Sequence, residues 1–279
     1  MAQSTLTQLK ENIINEFSKV DGDFAIAFSE IKPNGAEILI NEKENFHAAS
    51  TMKTPVMIEV FKQANEGKFN LNDSLIVKNQ FKSIVDSSDY SLNLSDDSGE
   101  GLYKFIGQKR SIRELVFDMI TVSSNLATNL LIDLVGAKNV MTTMKSIGAD
   151  DIRVLRGVED LKAFDKGLNN TTTAYDLMII FRRIAEGTVV SKEACKEMIK
   201  ILCGQKLNTK IPAKLPIGIK IAHKTGSITG VEHDSGIIYL PNGKTYVLVL
   251  LAKNLKDMQK GVEAEANVSK MIYDYMVQD

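Results

Sequence analysis

Strand-like segments lie at the two ends of this chain, and helical patterning fills the stretch between them. Near the start, Phe24-Ala25-Ile26-Ala27-Phe28 and Ala36-Glu37-Ile38-Leu39-Ile40 flank the turn residues Lys32-Pro33-Asn34-Gly35, which predicts a hairpin. Near the end, 217–225, 236–240 and 246–251 predict three more strands, the last two joined by Pro241-Asn242-Gly243. Leu6, Leu9, Ile13, Ile14 and Phe17 are spaced as a helix before the first strand. Val262, Ala266, Val268, Met271, Ile272 and Met276 mark another helix after the last. Strands from both ends that share one sheet must bring those ends together. The expected fold class is therefore α/β (α+β), with a five-stranded antiparallel sheet built from both chain ends and terminal helices on one face. A mostly helical lobe, 48–204, is inserted into an α/β lobe made of 1–47 and 205–279, and an active site is expected in the cleft between them.

Within the insertion, apolar spacing predicts helices over about 112–120, 124–135, 137–146, 173–186 and 191–203, with Thr173 and Ser191 as caps. The stretch 71–108 is irregular and polar, carries Asp96, Asp97 and Glu100, and reads as a long surface excursion.

Charge and composition exclude several classes. A net charge of -1 gives no general attraction to nucleic acid or to an anionic membrane. No apolar run approaches the roughly 20 residues that span a bilayer. Met1-Ala2-Gln3-Ser4-Thr5 lacks the basic and apolar regions of an export signal. Cys195 and Cys203 lie eight apart in a helical pattern, about 12 Å between Cα atoms, too far to bridge. The three histidines and two thiols form no ligand spacing, so no metal and no cofactor are expected. The expected partner is a small-molecule substrate, and the expected state a monomer.

Chemistry first shows at Ala48-Ala49-Ser50-Thr51-Met52-Lys53-Thr54-Pro55. Ser50 and Lys53 are three apart where a helical pattern begins, so they share a face. A neutral lysine there could take the serine's proton, and a cationic one could stabilise the alkoxide. Pro55 keeps the pair near the helix start. Two later stretches stand beside it. Thr121-Val122-Ser123-Ser124-Asn125 opens a helix after a break in apolar periodicity, and Asn129 follows on it. His223-Lys224-Thr225-Gly226-Ser227 ends a strand, with Lys224 and His223 on opposite faces. Gly226 allows another backbone or a ligand to come close.

Ser-x-x-Lys, Ser-x-Asn and Lys-Thr-Gly in that order resemble the class A β-lactamase and penicillin-binding-protein superfamily of serine hydrolases. The resemblance runs from the first hairpin to the last helix. It implies that Ser50 is acylated, that Lys53 exchanges its proton, and that Ser123, held by Lys224, relays a proton to the leaving nitrogen. It implies that Asn125 binds the substrate amide, with Asn129 also at the site. It also implies that the backbone N–H groups of Ser50 and Ser227 form the oxyanion hole, and that Lys224, Thr225, Gly226 and Ser227 meet a substrate carboxylate. It further implies a periplasmic or secreted enzyme that opens β-lactams by acylation and hydrolysis.

Four departures bear on that expectation. Ser124 stands where the family usually has Asp. The family's deacylating Glu sits in an Arg-x-Glu-x-x-Leu-Asn loop, here Arg156-Gly157-Val158-Glu159-Asp160-Leu161-Lys162. Alignment on Arg156 and Leu161 puts Val158 at the Glu position, whereas counting from Ser123 and Asn129 puts Glu159 there, and Glu159 is taken as the expected base beside Asn129. The loop's usual Arg–Asp pair becomes Arg156 with Asn170. The arginine expected after Lys-Thr-Gly is replaced by Ser235, leaving His233 or another basic group to meet a carboxylate. A Ser–His–Asp hydrolase would need Gly-x-Ser-x-Gly or a histidine in a recognisable elbow, and neither is present. Three readings of the same serine chemistry stay open: a β-lactamase, a serine esterase or D-Ala-D-Ala-type peptidase, and a penicillin-binding sensor whose acyl-enzyme persists.

Overall fold

The computed structural model describes residues 5–278; the reading of Met1 to Ser4 as lacking an export signal lies outside them. A hairpin of β1 (Asp23–Glu30) and β2 (Glu37–Ile40) joins a meander of β3 (Lys220–Ile228), β4 (Val231–Tyr239) and β5 (Thr245–Lys253). The strand order is β2-β1-β5-β4-β3, antiparallel throughout. β1 and β5 pair from Asp23 with Lys253 to Glu30 with Tyr246, so the two chain ends meet at the centre of the sheet.

Both faces of β5 are covered, which is why Tyr246 to Ala252 reads as a continuous apolar run. Tyr246, Leu248 and Leu250 face the terminal helices α1 (Leu6–Phe17) and α9 (Met258–Val277) together with Phe24, Ile26 and Phe28. Val247, Val249 and Leu251 face the inserted helices together with Ala25 and Ala27. The alanines on that face leave room for α7 (Ala174–Glu186), which packs on β1, β4 and β5.

The other helices are α2 (Lys53–Asn65), α3 (Ile112–Thr121), α4 (Asn125–Val135), α5 (Ala137–Ser146), α6 (Leu161–Asp165) and α8 (Lys192–Leu202). Ser111 and Glu114 form a reciprocal cap at α3. Ser124, Thr173 and Ser191 cap α4, α7 and α8, each accepting a backbone N–H. Helix α2 is buried on nearly every side, every residue from Lys53 to Phe61 included. Cys195 is buried and Cys203 exposed, both as free thiols. No helix among the described residues is long and apolar enough to cross a membrane.

The excursion 71–108 differs from its sequence reading. Val77, Phe81, Leu92 and Leu102 enter the same apolar core as α2 and α4. Asp97, read as part of a surface acidic patch, is 3% exposed. Isolated apolar residues in a polar stretch have no period, yet each fills a gap left by the neighbouring helices.

One glycine holds the β3–β4 pairing tight. A Cβ at Gly236 would lie 2.6 Å from His223 Cβ and 2.7 Å from the Ala222 carbonyl oxygen, both fixed by the ladder. Gly236→Ala is expected to destabilise the fold by about 1–3 kcal/mol, read as a lower urea midpoint at an unchanged slope. An unchanged midpoint would mean that the edge strand gives way freely.

Candidate active site

Ser50 sits in a single 3-10 turn, Ala49–Met52, that runs directly into α2. Pro55 is the third residue of α2, where its missing N–H has no intrahelical partner to lose. Lys53, the first residue of α2, is fully buried. Its ammonium nitrogen lies 2.7 Å from the Ser123 carbonyl oxygen, 3.1 Å from Ser123 Oγ and 2.9 Å from Asn125 Oδ1. From the opposite side, Lys224 Nζ donates to Ser123 Oγ at 3.0 Å and to the Thr225 carbonyl at 2.9 Å. Ser123 is thus the hinge between two buried lysines. Burial is the main cause that lowers both. It brings Lys53 to about 7 against the raising charges of Asp97 and Glu159. It takes Lys224 well below the ordinary lysine value, with the Lys53 charge adding to the effect.

Gly226 brings β3 against the nucleophile turn: a Cβ there would lie 3.1 Å from the Ser50 backbone nitrogen. Ser50, Ser123, Asn125, Thr225, Gly226 and Ser227 line one cavity of about 260 Å³. A second cavity of about 430 Å³ shares Ser50, Asn125 and Ser227 and is walled by Met52, Val158, Leu161, Phe164 and Ile228. The site therefore has a polar side and an apolar side that meet at Ser50. Ala49, Ser123 and Glu159 all have positive φ, at 43°, 59° and 62°. Non-glycine residues in that region cost on the order of 1–3 kcal/mol and gather where function constrains the chain.

The loop after Arg156 is arranged differently from the expectation. Asn129 donates to the Val158 carbonyl at 3.0 Å and accepts the Val158 N–H at 2.7 Å, so Val158 is the residue in its grip. The Glu159 carboxylate hydrogen-bonds Asn125 Nδ2 at 3.0 Å and the Asn93 N–H at 3.0 Å rather than Asn129. Glu159 lines the apolar cavity with Ser50, and burial raises its pKa against those two hydrogen bonds. Asp160 caps α6 and bonds Ser83 Oγ and the Ile84 N–H, both at 2.9 Å.

Arg156 and Asn170 do not meet side chain to side chain. The guanidinium donates to the Leu168 carbonyl and to Asn169 Oδ1, while Asn170 accepts the N–H groups of Leu155 and Arg156 and donates to the Arg156 carbonyl. His233 is taken up by structure: it is fully buried, its Nε2 donates to the His47 carbonyl at 2.8 Å, and burial pushes it down to about 4. Ser235 is buried against the Lys224 carbonyl. The basic group on the polar cavity wall is Lys210, which pairs with Glu232 at 2.7 Å while Glu232 also accepts from Ser227 Oγ at 2.8 Å. Lys210 carries no motif around it, so sequence reasoning passed over it. Among the described residues no group of three His, Cys, Asp or Glu could hold a metal ion.

Taken together, a hydroxyl at the edge of two cavities, a lysine poised near neutrality and backbone N–H groups brought close by a glycine suit acyl transfer through a serine. The profile of the family described as "Beta-lactamase enzyme family" matches residues 8–276. Among curated proteins, the chain is 25% identical over 253 residues to extended-spectrum beta-lactamase PER-1 of Pseudomonas aeruginosa, across 85% of this chain and 78% of that one. Among solved structures it is similar to a beta-lactamase from Sphaerobacter thermophilus, with a TM-score of 0.82, 26% identity and 99% of each chain covered. It is equally similar to a mutant of PBP-A solved as an acyl-enzyme complex with penicillin-G, with a TM-score of 0.83, 27% identity and 100% of each chain covered.

Asn170 is the point on which the 156–168 loop hangs. Asn170→Ala is expected to cost about 1–3 kcal/mol, because backbone groups of Leu155 and Arg156 lose their partners. Amide hydrogen exchange across 156–168 should accelerate in the same variant, and unchanged protection there would show that the loop is held by other contacts.

Proposed function

The chain belongs to the beta-lactamase enzyme family, and from that premise we propose that it is a serine hydrolase that opens β-lactams through an acyl-Ser50 intermediate later hydrolysed by water. The observation that carries this reading is the pair of buried lysines on one hydroxyl. Burial disfavours two ammonium groups about 3 Å from Ser123 Oγ, with the Lys53 charge adding to the effect at Lys224, and it brings Lys53 to about 7, where it can give up its proton near neutral pH. That supplies an amine able to take the Ser50 proton without a histidine.

In this reading Ser50 Oγ attacks the lactam carbonyl as Lys53 accepts its proton. The N–H groups of Ser50 and Ser227 hold the oxyanion. Loss of one such donor costs about 10²–10³ in rate elsewhere. Ser123, held by Lys224, passes a proton to the departing lactam nitrogen as the C–N bond breaks. Asn125 takes the substrate amide, and Asn129 keeps the 156–160 loop in place beside it. Thr225, Gly226, Ser227 and Lys210 line the side that receives a substrate carboxylate. The apolar wall of Leu161, Phe164 and Ile228 receives the acyl side chain. By family resemblance the protein acts outside the cytoplasm, as a monomer, on a small molecule.

Deacylation needs a base. Glu159 is the proposed one: a carboxylate with a raised pKa in the cavity that also holds Ser50. One observation favours a second reading. Asn129 grips Val158, and both oxygens of Glu159 are engaged by Asn125 and Asn93, which would leave the ester long-lived and the protein a penicillin-binding sensor.

Intact-mass spectrometry after mixing with a penicillin separates these. The parent should pass through an adduct and return to free mass, whereas Glu159→Gln should hold the adduct about 10²–10⁴ times longer. Asp160→Asn should follow the parent. A parent adduct that persists as long as that of Glu159→Gln would establish the sensor reading. No adduct at all, with the penicillin left intact, would point to an esterase.

A further inference from the structure

The middle of Ser123-Ser124-Asn125 lacks the carboxylate that the family resemblance leads one to expect, and the structure brings a carboxylate from elsewhere in the chain to the residues that follow it. Asp97, buried at the end of a short turn in the 71–108 excursion, accepts the Asn125 N–H at 2.9 Å on Oδ1 and the Leu126 N–H at 2.9 Å on Oδ2. Its Oδ1 also accepts the Gly99 N–H at 2.7 Å. Asn125 and Leu126 open α4, where N–H groups have no intrahelical partner and the helix dipole favours an anion.

The fit is reciprocal. A Cβ at Gly99 would lie 2.3 Å from Ser124 Cβ, so the loop that carries Asp97 rests directly on Ser124. A longer side chain at 124 and this loop would compete for one space. The short serine and the imported aspartate are therefore one arrangement rather than two accidents.

The residues that Asp97 grips are those that hold Lys53. Asn125 Oδ1 and the Ser123 carbonyl both bind its ammonium, at 2.9 Å and 2.7 Å. Three charged groups bear on Lys53: Asp97 from the excursion, Glu159 from the 156–160 loop and Lys224 from β3. Tyr103 stands beside Asp97, with a phenol pushed up chiefly by burial and so neutral.

We propose that Asp97 is a positioning residue of this site. By gripping the first turn of α4 it fixes Asn125 and the Ser123 carbonyl on Lys53, and its negative charge, with that of Glu159, helps to keep the proton on Lys53. The proposal rests on reading Lys53 as the group that exchanges the Ser50 proton.

The test follows Lys53 itself, by carbon-13 lysine NMR titration, alongside the rate of penicillin labelling. In the parent Lys53 should titrate at about 7. Asp97→Asn keeps the side-chain shape and removes the charge, so the midpoint should fall by roughly one unit or more. Asp97→Glu, which restores the charge, should return most of that shift. A merely structural role gives the opposite sign, because a loosened, hydrated Lys53 would rise toward the ordinary value of about 10.4. A rise, or no change, overturns the proposal. Should Asp97→Asn not fold, the parent itself carries the test: the carbon-13 carboxyl signal of Asp97 should shift as Lys53 titrates at about 7, and an Asp97 signal that stays still through that titration overturns the proposal. If the midpoint falls in Asp97→Asn while the parent is never labelled by penicillin, the acylation reading fails and the hold of Asp97 on Lys53 stands.

Discussion

Two lysine side chains buried at one serine hydroxyl are the constraint from which the rest of this architecture follows. Lys53 and Lys224 come from different parts of the chain, one from the first residue of a buried helix and the other from the edge strand of the sheet, and both reach Ser123 Oγ. Burying one unpaired ammonium is expensive, and two that share a partner more so. The fold meets that cost in three ways. Carbonyl and amide oxygens of Ser123, Asn125 and Thr225 accept from the ammonium groups. Carboxylates of Asp97 and Glu159 stand near Lys53. Desolvation drives the site toward holding one proton fewer.

The strained backbone is distributed around the same point. Ala49 directly precedes Ser50, which lines both cavities, Ser123 carries the oxygen that both lysines reach, and the Glu159 carboxylate bonds Asn125. Such conformations persist where surrounding contacts over-determine them. Here the contacts are Asp97 on α4, Asn129 on Val158 and Asn170 on Arg156, each a buried or half-buried polar side chain spent on backbone groups. The loops are therefore part of the site's geometry rather than a cover over it.

Much of this could be read from the sequence, and the limits are physical. The sheet was legible because β1 and β5 carry apolar residues on both faces, and the long helices because their period is regular. Ser50, Lys53, Ser123 and Lys224 were legible as spaced motifs, and they do converge. Asp97 was not, because a single carboxylate in a polar stretch has the same appearance whether solvated or buried, and its burial depends on Gly99 seating against Ser124. That Asn129 holds the Val158 backbone while the Glu159 carboxylate meets Asn125 is a matter of side-chain direction, which residue counting does not register. Lys210 lines the polar cavity beside its ion-pair partner Glu232 of β4. Long-range partners of that kind leave no local pattern.

The central claim, that Ser50 takes up the acyl group within this arrangement, is tested most directly by the crystal structure of the protein trapped after brief exposure to a penicillin. The account predicts continuous density from Ser50 Oγ to an opened lactam. Its ester carbonyl oxygen should lie within hydrogen-bond distance of the backbone N–H groups of Ser50 and Ser227, and its side chain against Leu161, Phe164 and Ile228. Density attached to another residue, or an ester whose oxygen turns away from both N–H groups, would contradict it.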